Sequence, residues 1–459
     1  MQQYLIYDAK SEPEFSLLEI FAHFASEPWS MLLDSADASH PNSRYQIMVA
    51  QPVATLHSQH GNTILTDEHG SHHYTTDPFK VLDCALKRYF ATPCHSELPF
   101  VGGALGYFGY DLGRYLERLP EQAQADLQLP DMALGLYQWA LIYDQQQKQL
   151  WYTDYRQDAE QHWHKLQQRL STQPPLSRPF SLQSDWQANM TQAEYQHKFA
   201  RVQQELSSGN CYQINLAQRF SAAYQGDEWQ AYLKLRQKNA APFSAFIRLP
   251  AAAVLSISPE RFLLLQDGQI ETKPIKGTRP RGFCAQTDQI EAENLQTSPK
   301  DRAENVMIVD LLRNDLGKVC QPGSVEVPAL FAIESFPAVH HLVSTVTGTL
   351  AAPNSACDLL RAAFPGGSIT GAPKISAMQL IEQLEPHRRS VYCGAIGYIS
   401  STGRMDTNIA IRTLVCEQGQ IYCWAGGGLV ADSKVDSEYQ ETLDKVAKIL
   451  PVLSAMPPE

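Results

Sequence analysis

The segment RFLLLQDGQIETKPI, residues 261–275, sets two strand-forming runs on either side of Asp267-Gly268. That dipeptide accepts the left-handed backbone of a two-residue turn, so the runs fold back as an antiparallel hairpin. Further strand-like runs flank it. CYQINLAQRF (211–220), FSAFIRL (243–249) and AAVLSISP (252–259) precede it. YCGAIGYIS (392–400), NIAIRTLV (408–415) and QIYCWAGGGLVA (420–431) follow. Strands and helices come in mixed order, not in strict βαβ alternation, which predicts an α+β architecture with large sheets.

With 459 residues, 44% of them hydrophobic, the chain can bury a large core and exceeds one minimal domain. The stretch 171–190, STQPPLSRPFSLQSDWQANM, has no sustained periodicity and marks a seam. The expected division is an N-terminal region, 1–180, and a C-terminal region, 190–455. After the seam, Thr191 and Glu194 form a capping-box pattern. Tyr195, Phe199, Val202 and Leu206 then recur at helical spacing until Gly209 and Asn210. A second helix starts with Ser298 as cap and Pro299 at its first position and ends at Gly317. Asp301 and Glu304 share a face of it, as Glu438 and Glu441 do on a last helix opening at Asp436.

Composition excludes several functions. No apolar run approaches the roughly 18 residues of a membrane helix, and MQQYLIYDAKSEPEF lacks the marks of a secretory signal. A net charge of −12 repels nucleic acid and anionic lipid, so an anionic substrate would need locally placed cations. The nine cysteines stand singly and are odd in number, which indicates neither a zinc site nor a disulfide framework. A cytoplasmic location is expected.

Single positions carry two readings each. Lys276, between Ile275 and Gly277, is a solvated loop charge or a desolvated amine that loses its proton readily. Glu260 ends an apolar strand, either exposed or buried with a raised pKa as a general acid. Arg412, inside NIAIRTLV, suits a planar anion such as a carboxylate. His341 and Tyr392 each have a core reading. Gly426, Gly427 and Gly428 are turn residues, or they let backbone N–H groups approach a carboxylate. The acidic pairs complement helix dipoles, or, facing one pocket, they suit Mg²⁺. GGSITGAPK (366–374) lacks the Lys-Ser/Thr of a phosphate loop. No cysteine has a Gly-x-Cys-x-Gly setting and the first residue is Met1, so neither common glutaminase route to ammonia is expected in this chain.

Taken in order from about residue 210 to 445, ten stretches together resemble the chorismate-utilising enzymes, in their aminodeoxychorismate branch. They are NCYQINLAQRF, SPERF, PIKGT, DRAENVMIVDLLRNDLGKV, HHLVSTV, FPGGSITGAPK, YCGAIGYIS, DTNIAIRTL, AGGGLVADS and EYQET. LLDSA with NSRYQI, and FVGGALGYFGYDLGRY, extend the likeness through the N-terminal half. The resemblance implies a two-lobed sandwich of large mixed or antiparallel sheets with flanking helices. Anthranilate synthase large subunits read PIAGT where this chain reads PIKGT.

The implied roles follow residue by residue. Glu304 and Glu441 would hold Mg²⁺ against the chorismate ring carboxylate, with Glu438 and Asp301 outside them. Tyr392 and Arg412 would bind the enolpyruvyl carboxylate. Backbone groups of Gly277, Thr278, Gly426 and Gly428 would cradle the carboxylates, and Ser368 and His341 would flank the ring. Glu260 would protonate the C4 hydroxyl and Lys276 would attack C2. Ammonia, from a separate glutamine amidotransferase subunit in a heterodimer, would then attack C4 and expel the lysine from C2. Gln213 stands where water-using relatives have a basic lysine, and an amide cannot act as that base. Ser35, Ser43, Arg44, Tyr45 and Tyr212 resemble a tryptophan pocket, against a reading in which Ser35 and Arg44 only hydrogen-bond across strands. Anthranilate synthase component I and a non-catalytic tryptophan-binding subunit are the alternatives; the joint presence of Glu260, Glu304, Arg412 and Glu441 argues against the second.

Overall fold

A computed structural model describes residues 2–8 and 16–454, apart from 37–39, 41, 93 and 336–338, with backbone alone for 2–8. The predicted hairpin is present. Asp267 and Gly268 have φ of 52° and 76° and turn Arg261–Gln266 into Gln269–Thr272, with Leu265 opposite Ile270.

Two large sheets account for the strands, one of 13 and one of 12. Neighbours run antiparallel, and each sheet takes strands from both ends of the chain. In the first, Met31–Asp34 pairs with Phe243–Arg248, which leads through Ala252–Ser258, Thr413–Glu417 and Gln420–Leu429 to Gln213–Gln225. In the second, Gly103–Phe108 pairs with Ala395–Ser400 and so joins N-terminal strands to Met405–Ile409 and Arg261–Gln266. Ile275–Pro280 lies at that sheet's far edge, against Val339–Thr349.

The near-continuous apolar runs are explained by burial on two faces. Met31, Ile47 and Val254 point to a cluster shared with Leu56, Leu105 and Leu263 of the second sheet. Their chain neighbours Leu32, Met48 and Leu255 point the other way, into a cluster with Phe21, Trp229 and Tyr232 of the covering helices Leu17–Ala22 and Glu228–Lys238. A strand covered on both sides loses polar alternation.

The helix signals hold. Thr191 and Glu194 complete a capping box for Gln192–Ser207, and Ser298 caps Pro299–Gly317. The last acidic helix is Val435–Val446. Within 171–190, two short strands, Ser181–Leu182 and Gln187–Ala188, pair with Gln213–Gln225. Among the described residues no helix is long and apolar enough to cross a membrane.

Because each sheet is closed by strands from both ends of the chain, residues 1–180 and 190–455 produced separately are expected to remain unfolded or aggregate. Both sheets would be left with apolar edges and an uncovered face. Far-UV and near-UV circular dichroism of the two pieces, alone and mixed, checks this; two independently cooperative unfolding transitions would refute it.

Candidate active site

The site forms where two chain segments change sheets. Ala252–Ser258 belongs to the first sheet and Arg261–Gln266 to the second, so Glu260 lies in the crossing. NIAIRTLV does the same: Met405–Ile409 is in the second sheet and Thr413–Glu417 in the first. Arg412 therefore stands in a crossing with φ 50°, not in mid-strand as its apolar neighbours suggest. The crossings bind each other: Ile409 N–H donates to Glu260 O and Ile257 N–H to Arg412 O, each at 3.0 Å. Ser258 Oγ donates to Ile409 O at 2.6 Å.

Lys276 arrives from the sheet edge. The ladder of Ile275–Pro280 slips between Lys276 and Thr278, and Gly277 in the bulge has φ 74°. A Cβ there would come within 2.9 Å of the Asp301 carboxylate, so only glycine allows the bulge that re-aims the lysine. Lys276 Nζ donates to Ser368 O at 3.1 Å, and Ser368 Oγ donates to Glu260 Oε1 at 2.9 Å. Glu260 is 5% exposed. Burial pushes its carboxyl up to about 7, against the opposing pull of Ser368 and Lys276. Burial likewise lowers Lys276 below an ordinary lysine, while Glu304 and Glu260 oppose the shift. A carboxyl raised to about 7 is thus one serine away from an amine lowered below the ordinary lysine range.

On the opposite wall, Gln213–Gln225 pairs with Gln420–Leu429, setting Asn215 across from Gly428 and Ala217 across from Gly426. A Cβ on Gly428 would lie 2.4 Å from Gln213 Nε2. Gln213 is fully buried, and neither its Nε2 nor its Oε1 has a hydrogen-bond partner among the described residues. Tyr392 is buried and stacks on Trp424 at 6.1 Å. His341 Nδ1 meets Thr278 Oγ1 at 2.9 Å; burial, then the Arg412 charge, push its pKa down to about 4 and keep it neutral. Burial also lowers the pKa of Arg412, and no carboxylate of the described residues pairs with it. A desolvated, unpaired guanidinium is a receptor for an anion.

The acidic rim contains Glu304, Glu438 and Glu441. Lys300 Nζ lies 3.9 Å from Glu304 Oε1 and 3.5 Å from Glu438 Oε1. Lys445 pairs with Glu441 at 2.7 Å and also donates to Gly426 O at 2.7 Å. A Cβ on Gly427 would be 3.3 Å from both Glu438 Oε2 and Glu441 Oε1. Burial raises the pKa of Glu304 despite Lys276 and Lys300, whereas at Glu441 burial is outweighed by Lys445 and the pKa falls. Asp301 is turned to Arg279, at 3.0 Å. Among the described residues no three acidic, histidine or cysteine side chains form a complete metal cage. The donors nonetheless fit Mg²⁺, which uses one or two carboxylates beside water and substrate oxygens. A lysine ammonium already bridges Glu304 and Glu438, so the position attracts a cation. Lys300 and Lys445 were missed in the sequence, although each stands four residues from a predicted acid, at ion-pair spacing.

A separate cavity of about 400 Å³ lies between the sheets, lined by Ser35, Arg44, Tyr45, Arg261, Tyr398 and Asn408 among others. Ser35 Oγ donates to Tyr45 O at 2.7 Å and Arg44 pairs with Asp144 at 2.9 Å, so the cross-strand contacts exist as well. Ser43 is buried, its Oγ without a partner among the described residues, and it does not line the cavity. Tyr212 does not join this cavity: it is 66% exposed where Gln213–Gln225 begins. Its residue type suited the pocket, but the strand carries it to another wall.

With this geometry, a model of the chorismate binding enzyme family matches residues 30–451. The chain belongs to the chorismate-binding enzymes. Over 432 residues it is 55% identical to aminodeoxychorismate synthase component 1 of Escherichia coli (strain K12), covering 94% of each chain. It is 34% identical to anthranilate synthase component 1 of Geobacillus stearothermophilus, covering 94% of this chain and 90% of the relative. The solved structure of anthranilate synthase component I from Streptococcus pneumoniae TIGR4 superposes with a TM-score of 0.80 at 32% identity, over 90% of this chain and 93% of that one. The shared fold of chorismate-binding enzymes is thus two large antiparallel sheets with flanking helices here.

Glu260 favours the protonated form of Lys276. Glu260→Gln should therefore lower the Lys276 pKa further and expose more free amine at pH 7. Labelling by an amine-reactive reagent, with Lys276 followed by peptide mass mapping, is expected to be faster in the variant; slower labelling would contradict the coupling.

Proposed function

We propose that this chorismate-binding enzyme converts chorismate and ammonia to 4-amino-4-deoxychorismate, the precursor of p-aminobenzoate in folate synthesis. A separate glutamine amidotransferase subunit supplies the ammonia. The observation that carries the reading is the Lys276–Ser368–Glu260 arrangement, an amine and a carboxylic acid joined through one serine. Glu260 donates its proton to the C4 hydroxyl, which leaves as water. Lys276 Nζ bonds to C2 while the ring double bonds each shift one position, and Glu260 takes a proton from the new ammonium. Ammonia then bonds to C4 as an ammonium, the double bonds shift back, and the C2–N bond breaks as Glu260 returns its proton to the departing nitrogen, releasing Lys276 as the free amine. Two assisted displacements replace one with a poor leaving group.

The remaining residues bind and orient. Arg412 and Tyr392 take the enolpyruvyl carboxylate, and the backbone of Gly277, Thr278, Gly426 and Gly428 lies along the carboxylates. Ser368 and the neutral His341 flank the ring. When bound to Glu304 and Glu441, with Glu438 and Asp301 outside, Mg²⁺ supplies positive charge for the ring carboxylate. Gln213, with no basic nitrogen, leaves water unactivated and favours an amine nucleophile. The nine cysteines are all unpaired, in keeping with a reducing cytoplasm.

The purified chain with chorismate, Mg²⁺ and ammonium should form an aminated product that retains its enolpyruvyl group and that an added lyase converts to p-aminobenzoate. Lys276→Ala is expected to lower that rate at least ~100-fold. Anthranilate with stoichiometric pyruvate from the unsubstituted chain would overturn the reading in favour of anthranilate synthase.

The cavity beside Arg44 supports a second reading, tryptophan bound away from the site. Its volume accommodates an indole with its amino acid moiety. Saturating tryptophan, at about 100 times its Kd, should then stabilise the fold by about 2.7 kcal/mol. An unmoved melting temperature would exclude a tryptophan site.

A further inference from the structure

Ser368 serves both proposed catalytic groups, its carbonyl accepting from Lys276 and its hydroxyl donating to Glu260. The Gly367–Ile369 turn that carries it leads into Gly371–Ala372, which pairs with Gln213 and Ile214 at the start of the strand Gln213–Gln225. Asn215 N–H donates to Thr370 O at 2.8 Å. Arg389 adds a side-chain link. Its Nη1 donates to Ile369 O at 2.9 Å, and its Nη2 donates to Asn215 O at 2.9 Å. One guanidinium therefore joins the carbonyl directly after Ser368 to the strand that bears Gln213.

Arg389 is itself immobilised. It is 1% exposed and bonds Glu385 in bidentate fashion, at 2.9 and 2.6 Å. Glu385 Oε1 also accepts Ala217 N–H at 2.8 Å. The guanidinium lies over Tyr110 at 4.8 Å and near Tyr392 at 5.8 Å. A buried ion pair adds little stability over apolar side chains of the same shape. What this pair adds is fixed direction: a planar fork reaches three acceptors that a lysine ammonium on a flexible stem cannot serve together.

We propose that Arg389, oriented by Glu385, is a positioning residue for the reaction, fixing the Ile369–Thr370 peptide next to Ser368 so that Ser368 stays between Lys276 and Glu260. Arg389 touches neither substrate nor reacting atoms. The inference rests on the proposed roles of Lys276 and Glu260.

A double-mutant cycle on ammonia-dependent chorismate turnover tests it, using Ser368→Ala, the charge-free pair Arg389→Gln with Glu385→Gln, and their combination. The charge-free pair is expected to lower kcat about 100-fold, the cost of a misplacement of about 1 Å. On the Ser368→Ala background the same change should cost less, because the hydroxyl it positions is gone and only the carbonyl remains to be held. Arg389→Lys should recover only part of the loss. Equal cost on both backgrounds would mean that Arg389 merely supports the fold, and would overturn the proposal, as would an unchanged kcat. If the charge-free pair does not fold, Arg389→Lys on the two backgrounds gives the same comparison. Absence of aminated product from the unsubstituted chain would instead overturn the proposed function, and the cycle is then read on the product that chain does form.

Discussion

The site depends on taking water away from a lysine and a glutamate together. Alone in a dry setting, each is driven toward its neutral form, the amine and the carboxylic acid. Facing one another, they attract as an ion pair. The two forms contain the same number of protons and differ only in which group holds the one they share, so they titrate as a pair. Each pKa unit of imbalance is worth about 1.4 kcal/mol. Ser368 and Lys276 both favour the Glu260 carboxylate, and burial outweighs them. Glu260 rises toward neutrality and Lys276 falls from its usual value. Both shifts run in the direction that a nucleophilic amine and a proton-donating carboxyl need.

The scaffold makes that dryness available. Two sheets packed face to face can dehydrate a residue only if it leaves one sheet without returning to solvent, and chain segments that switch sheets do so. Two of these switches carry a charge, Glu260 in one and Arg412 in the other, and the two are hydrogen-bonded to each other. Open ends of strands elsewhere would expose such groups to water. Lys276 enters from the sheet edge over a glycine bulge, and the acidic rim stays partly open; the Glu441 side chain is 48% exposed. A dry floor with a wet rim suits a polyanionic ligand that must lose water only at its reacting carbon atoms.

Local signals in the sequence were read correctly where short-range chemistry decides the structure. Asp267-Gly268 made its turn, Thr191 and Glu194 their box, and Ser298 its cap, because each involves residues no more than three apart. Features set by distant partners were not legible. Ile409 through Thr413 looks like one strand because both sheets want apolar side chains, so the crossing at Arg412 leaves no local mark. Tyr212 is an aromatic of the right type on the wrong wall. Arg389 and Glu385, four apart in sequence, look like a surface helix pair, and only the fold buries them against Ile369 and Asn215. Lys300 and Lys445 do carry a local signal, their four-residue spacing from Glu304 and Glu441.

The likeness to both aminodeoxychorismate and anthranilate synthase components means that most of this site is common to two reactions. Glycine cradle, acidic rim and Arg412 bind the same ring in either, and cannot decide where nitrogen is added. Lys276 can. In the proposed reaction its amine occupies C2, the carbon that ammonia would otherwise attack, so ammonia is left with C4 and the enolpyruvyl group has no route to elimination. An alanine at that position would leave C2 open. Lysine there is useful only if its proton is gone and its direction is fixed, which links the product to the dryness around Glu260 and to the bond from Ser368 O. The regiochemistry thus follows from one side chain, while its competence follows from the burial, the glycine bulge and the turn arranged around it.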